Sequence, residues 1–136
     1  KNKWIKFNDM CSVSSRDINF TKIFKLFLNC PYKGGGKTFE GIDCSALVQL
    51  YYLYNNKFFP RDTKDQISFK KGKKKLIKFS KGDIIYWKGH VAVCLSRNKL
   101  IHAYGPRKKV LIMNIKKTIE LINKTAKLKV KKIIRI

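Results

Sequence analysis

Apolar residues change their spacing near Gly82. Before it they recur at helical intervals, and after it they alternate. "SSRDINFTKIFKLFLN" reads as an amphipathic helix, capped by Ser14 with Asp17 in its first turn. Ile23, Phe24 and Phe27 share one face of it. "CSALVQLYYLYNN" reads as a second helix with Leu47, Leu50, Tyr51 and Tyr54 on a common face, and "FFPRDTKDQ" as the loop that follows. Beyond Gly82 come four short alternating runs, "DIIYW", "HVAVCLS", "KLIHAYG" and "KVLIMNI". Lys-Gly, Arg-Asn-Lys and Gly-Pro-Arg turns separate them, as in a β-meander. "IKKTIELINK" adds a helix, and "LKVKKIIRI" supplies a last strand. Helices first and strands later predict an α+β fold with an antiparallel sheet.

Composition narrows the class. The chain has 136 residues, 44% of them hydrophobic and 12% aromatic. That is enough for one domain with its own core, spanning residues 1–136. No apolar run approaches the roughly 20 residues of a membrane-spanning helix. The sequence opens at Lys1, without Met or a visible signal peptide, as a processed chain or an excised domain would.

Charge widens the picture again. There are 32 basic residues against 8 acidic ones, a formal net charge of +24. A field of that sign attracts nucleic acid, anionic lipid or an anionic wall polymer. Of the basic residues 27 are Lys and 5 are Arg, which codon bias in an AT-rich genome would also produce. Only "KKGKKK" (Lys70 to Lys75) is dense, and it reads as a solvated loop. No zinc-finger spacing or RNA-binding aromatic signature accompanies the charge, so nucleic acid is a poor match.

The richest stretch is "PYKGGGKTFEGIDCSAL", from Pro31 to Leu47. Its "GGGKT" resembles a phosphate-binding loop but fails the spacing. Pro31 stands where the first Gly is required, and Gly41 interrupts any helix after Thr38. The glycines instead suit a tight backbone path. The "DCS" is more informative. Cys44 would open the second helix, where unpaired N–H groups and the dipole favour a thiolate. A thiol nucleophile also needs a base, and the base a third group to orient it. The two histidines, His90 and His102, both fall in predicted strands. If those strands pair, Cys44, His90 and His102 form a Cys–His–His constellation. The bland alternative is a buried Cys and two ordinary strand histidines. A zinc site is a weak fit, since neither Cys-x-x-Cys nor a paired His spacing is present, and no cofactor is called for.

Four segments in order resemble the NlpC-type cell-wall peptidases. "PYKGGGKTFEGIDCSALVQLYY" is similar to the family's Pro-Tyr-x-Trp-Gly-Gly and Asp-Cys-Ser-Gly-Leu signature. "PRDTKDQ" resembles its Pro-Arg-Ser/Thr…Gln segment. "KGDIIYWKGHVAVCL" resembles its Gly-Asp-Leu…Gly-His-Val-Gly strand pair, and "LIHAYG" its Ile-His-Ala strand. They lie within Ile18 to Ile115. The resemblance implies a papain-like α+β fold, with the nucleophile Cys at a helix N-terminus packed on an antiparallel sheet. It also implies hydrolysis of the γ-D-glutamyl–diaminopimelyl bond of peptidoglycan stem peptides. It makes Cys44 the nucleophile, His90 the base and His102 its orienting partner. Tyr32 would lie beside the oxyanion, with Asp43 and Ser45 on the substrate amine; the alternative for Asp43 and Ser45 is helix capping. Gly34 departs from the pattern by replacing Trp, Ala46 by replacing Gly, and Lys33 by adding charge at the rim.

The substrate would place the protein in the periplasm or cell wall, with cytoplasmic recycling of muropeptides as the exception. Two rivals stand beside the peptidase. One is a non-catalytic domain binding an anionic polymer, cell wall or nucleic acid. The other is a related papain-like amidase or acyltransferase. Of the remaining cysteines, Cys94 reads as core, and Cys11 and Cys30 as a pair that an oxidising compartment would join.

Overall fold

The computed structural model describes residues 4–6, 10, 12–75 and 78–136. Cys11 lies outside them, so its pairing with Cys30 does too.

The elements run α1 (Phe20–Leu26), β1 (Lys37–Thr38), β2 (Gly41–Ile42), α2 (Cys44–Tyr54) and α3 (Thr63–Phe69). Then come β3 (Asp83–Trp87), β4 (His90–Cys94), β5 (Lys99–Tyr104), β6 (Lys109–Asn114), α4 (Ile115–Ala126) and β7 (Lys132–Arg135). The main sheet has the order β6-β5-β4-β3-β7. Its four consecutive strands form the expected meander, and each pairing is antiparallel. The last strand returns across the sheet to pair with β3, with Ile84 opposite Ile134.

Strand alternation divides the core into two layers. Ile84, Tyr86, Val91, Val93, Ile101 and Ala103 pack with Phe24, Leu47, Val48 and Tyr51 of α1 and α2. The intervening residues Ile85, Trp87, Ala92, Cys94 and Leu100 pack with Ile115 and Ile122 of α4. Each large apolar side chain removed from water contributes about 1.5–3 kcal/mol, so both layers fix where the strand ends lie. α4 is held at its start by the Asn114 side chain, which accepts the Lys117 N–H at 3.1 Å.

Three expectations change. α1 starts at Phe20, not after Ser14, because Asp17 closes a turn of its own. Its Oδ1 accepts the Asn19 N–H at 2.8 Å and its carbonyl accepts Asn55 Nδ2 at 3.0 Å. An Asp that binds backbone two residues on competes with the helix. Second, "FFPRDTKDQ" is not all loop. Its end opens α3, where the Asp62 carbonyl accepts the Gln66 N–H at 2.9 Å. Third, Tyr54 is exposed, while Ala46, Val48 and Tyr52 of α2 are buried, so α2 is covered on more than one face.

Candidate active site

Cys44 is the first residue of α2, and Asp43 is its cap. Asp43 Oδ1 accepts the Ala46 N–H at 2.8 Å and the Ser45 hydroxyl at 3.1 Å. Oδ2 accepts the Gly35 N–H at 2.9 Å. Arg61 then closes on both oxygens, from Nη1 to Oδ1 at 3.0 Å and from Nη2 to Oδ2 at 2.6 Å. Burial pushes the Asp43 carboxyl up, but Arg61 and the N–H groups of Ala46 and Gly35 outweigh it and hold it below its usual range. Five donors occupy this carboxylate. Its geometry is that of a cap and an anchor, the alternative its position left open. Ser45 likewise spends its hydroxyl within the network, donating to Asp43 and accepting from Arg61 Nη1 at 2.9 Å.

The "PRDTKDQ" segment braces the same helix turn, a role its spacing did not disclose. Besides Arg61, buried Gln66 donates through Nε2 to the carbonyls of Ser45 and Pro60, both at 2.9 Å. Thr63, buried at the start of α3, lies near enough to Cys44 to oppose the rise of its thiol.

The glycine run has a steric cause. A Cβ at Gly36 would collide with the Gly41 carbonyl, and one at Gly41 would meet Lys33 Cβ at 2.6 Å. The two glycines let β1 and β2 fold tightly back before Asp43. Lys37 and Thr38 of the "GGGKT" form β1, where a phosphate loop would start a helix. Gly34, in contrast, is open, since an added Cβ would meet nothing within 4 Å. The rim is therefore vacant where the resemblance expects Trp.

Tyr32 is set by two neighbours. Its N–H donates to the Lys108 carbonyl at 2.9 Å, and it bridges in parallel to Ile42, two residues before Cys44. Its ring lies against Gly105, where a Cβ would sit 3.3 Å from Cε1. Burial raises the Tyr32 phenol, and the nearby Cys44 and Asp43 add to that, so it remains a donor.

His90 opens β4 and His102 lies within β5. Their rings meet on one face of the sheet, with His90 Nε2 2.9 Å from His102 Nδ1. His102 is fully buried, and Tyr104 stacks on it with centroids 4.7 Å apart. On its far side, His102 Nε2 lies 3.2 Å from Met113 Sδ. Burial lowers both imidazoles, His90 to about 4 and His102 to about 3, so both are neutral near pH 7.

Cys44 Sγ lies against the turn into β4, 4.0 Å from the Gly89 carbonyl, with the Val91 N–H also directed to it. Those residues flank His90. Among the described residues no hydrogen bond joins Cys44 to His90. The thiol also departs from the expected electrostatics. Burial pushes it up, and the Val91, Thr63 and Ser45 donors that oppose this do not overcome it. A helix start alone does not lower the pKa of a thiol that is closed off from water. The resting pair is therefore a neutral thiol and a neutral imidazole.

Thus the structure brings His90 and His102 into contact, and sets Cys44 and Tyr32 within reach of one another's charge. It adds Arg61, Thr63, Gln66 and Met113, which the sequence reading did not single out as site residues. Among the described residues no group of three or more His, Cys, Asp or Glu side chains is arranged to hold a metal ion. No helix of the described residues is long and apolar enough to cross a membrane.

Known proteins share this arrangement of segments. The chain is 35% identical over 77 residues to dipeptidyl-peptidase 6 of Lysinibacillus sphaericus, covering 57% of this chain and 28% of that one. It is 29% identical over 130 residues to the γ-D-glutamyl-L-lysine dipeptidyl-peptidase of Bacillus subtilis, covering 86% of this chain and 43% of that one. The chain thus spans less than half the length of either relative. The crystal structure of a NlpC/P60 family protein from Bacillus cereus superposes with a TM-score of 0.62 at 27% identity, over 71% of this chain and 34% of that one. The NlpC/P60 family model matches residues 29–126, from just before Tyr32 to the end of α4, and the chain therefore belongs to the NlpC/P60 family.

Proposed function

We propose that the chain is a cysteine peptidase that hydrolyses peptidoglycan stem peptides on the carboxyl side of γ-D-glutamate. The observation that carries the reading is the His90–His102 pair, held at 2.9 Å beside the backbone that receives Cys44. A module that only binds an anionic polymer has no use for an imidazole pair whose strand also meets a thiol at a helix start. The names of the relatives support the reaction class. The Bacillus subtilis relative is named for a γ-D-glutamyl-L-lysine bond. The resemblance to the NlpC-type peptidases implies diaminopimelate as the third residue, and we keep it for this chain.

The steps follow from the two neutral groups. As Cys44 Sγ attacks the scissile carbonyl, its proton passes to His90, and a C–S bond forms. The carbonyl oxygen takes up the negative charge and accepts hydrogen bonds from the Cys44 N–H and the Tyr32 hydroxyl, each worth about 3 kcal/mol in the transition state. His90 then protonates the leaving amine as the C–N bond breaks, which leaves a thioester on Cys44. Water, deprotonated by His90, releases the acid and restores the thiol. Hydrogen bonds of this kind are often long in a free enzyme and shorten when substrate is bound. The substrate lies outside the cytoplasmic membrane, and we place the protein there, with the net charge of +24 favouring contact with an anionic wall polymer.

The test is mass spectrometry of muropeptides incubated with the purified protein. Wild type yields fragments cut after γ-D-glutamate, and Cys44→Ala yields none while keeping its fold. A Cys44→Ala variant with wild-type turnover would end the thiol mechanism. Products cut at the amide that joins stem to sugar, or joined to a new acceptor, would favour the amidase or acyltransferase reading.

A further inference from the structure

Met113 has no part in the steps above, yet it holds the outer end of the imidazole pair. We infer that Met113 is a positioning residue that selects the protonation pattern of His102, and through it the tautomer of His90. The inference rests on the peptidase reading for its consequence, but not for its geometry.

The geometry comes from the strands. His102 pairs with Leu111 across β5 and β6, and Leu100 pairs with Met113. Residues two apart on a strand share a face, so Met113 is the diagonal neighbour of His102. Its Sδ lies 3.2 Å from His102 Nε2, while His102 Nδ1 lies 2.9 Å from His90 Nε2. A neutral imidazole carries one N–H and one lone pair, and a thioether sulfur can only accept.

Two arrangements of the protons are possible along this row. In the first, His102 Nε2–H donates to sulfur. Its Nδ1 accepts from His90 Nε2–H, and His90 Nδ1 keeps a free lone pair. In the second, His102 Nδ1–H donates to His90 Nε2. A nitrogen lone pair then faces a sulfur lone pair, and His90 Nδ1 carries the remaining proton. Only the first gives His90 a basic nitrogen for a thiol. The sulfur favours it, because the second replaces a weak hydrogen bond with a repulsion. Tyr104, stacked at an interplanar angle of 10°, keeps the His102 ring in the plane where both contacts persist. A histidine with an acceptor-only partner on one nitrogen loses the freedom to choose a tautomer, and here that partner is a methionine.

The experiment combines imidazole ¹⁵N NMR at pH 7 with steady-state kinetics on a muropeptide. The wild type is expected to show both histidines protonated at Nε2. Met113→Leu keeps the volume and removes the acceptor. It is expected to show a population of His90 protonated at Nδ1, with kcat lower by about tenfold and KM little changed, since only the fraction with a free Nδ1 can take the proton. Met113→Gln, which restores an acceptor oxygen, is expected to recover the Nε2–H signals and most of kcat. A wild-type His102 protonated at Nδ1 would overturn the inference, and so would unaltered tautomers in Met113→Leu. If the wild type cuts no muropeptide, the peptidase reading fails, yet the nitrogen spectra still decide what Met113 does.

Discussion

Arg61 grips Asp43 with both arms of its guanidinium, at 3.0 and 2.6 Å, directly beneath the turn that carries Cys44. Only about a fifth of the Arg61 side chain and an eighth of the Asp43 side chain remain exposed. This pair lies between a surface ion pair, which is worth little, and a buried one, whose disruption is costly. Arg61→Ala leaves the Asp43 carboxylate with its backbone donors but no counter-charge. We expect a loss of about 2 kcal/mol in unfolding free energy, and a fall in kcat larger than the rise in KM as the first turn of α2 loosens. Arg61→Lys should recover little, because a point charge cannot reach both oxygens at once. Chemical denaturation and muropeptide kinetics read the two effects separately. Wild-type stability and kcat in Arg61→Ala would show that the backbone caps alone hold the turn.

Gly105 offers a test of Tyr32 that leaves the tyrosine in place. A methyl group at Gly105 would lie 3.3 Å from Cε1 and 3.5 Å from Cζ, so the ring must move by a few tenths of an ångström. Gly105→Ala should cost little stability yet lower kcat/KM by about tenfold if the hydroxyl serves the oxyanion. Tyr32→Phe removes the donor and should lower it by about a hundredfold. If Tyr32→Phe hydrolyses muropeptides at the wild-type rate, the hydroxyl has no part in the transition state.

Much of this was legible in the chain. The alternating runs after Gly82 became β3 to β6 because β3 to β5 bury residues on both faces and β6 pairs along β5, and the turns between them are chemically explicit. The register of β4 and β5 then brought His90 and His102 together, as the hairpin pattern allowed. What the sequence concealed was polar. Arg61, Thr63 and Gln66 lie in a segment without apolar periodicity, yet their side chains bind the start of α2 through partners 16 to 21 residues away. Such contacts leave no mark in local spacing. The Cys44 thiol was misjudged for a related reason. The helix start is visible in sequence, but the burial that outweighs it comes from packing Cys44 into the core, which only the fold creates.

That misjudged thiol gives a direct prediction. Alkylation requires the thiolate, so its rate follows the ionised fraction. With its pKa raised above 9.0, Cys44 should react slowly with iodoacetamide at pH 7 and faster as the pH climbs past 9. Cys94, pushed up to about 12 within the core, should contribute little. The difference between wild type and Cys44→Ala isolates the Cys44 rate. An inflection at or below pH 7 would mean that a thiolate–imidazolium pair exists at rest, and that attack does not wait for proton transfer.

The imidazole pair should also be visible in the dependence of stability on pH. In an unfolded chain a histidine titrates near 6.5, whereas burial holds His90 at about 4 and His102 at about 3 in the folded protein. The folded state therefore resists protons that the unfolded state accepts. The contribution of these groups is fully present above about pH 6.5 and declines as the pH falls toward 4 and then 3. Below that, both states are protonated and the loss levels off. Near pH 5 unfolding should take up close to two protons from this pair alone, and about one and a half at pH 4 or 6. The mutant His90→Gln/His102→Gln should show a shallower fall over the same window. Urea titrations at half-unit steps from pH 7 to 4 would compare the slopes. Parallel slopes in the wild type and the double variant would mean that both imidazoles already carry a proton in the folded protein. A charged His90 could not then accept the proton of Cys44.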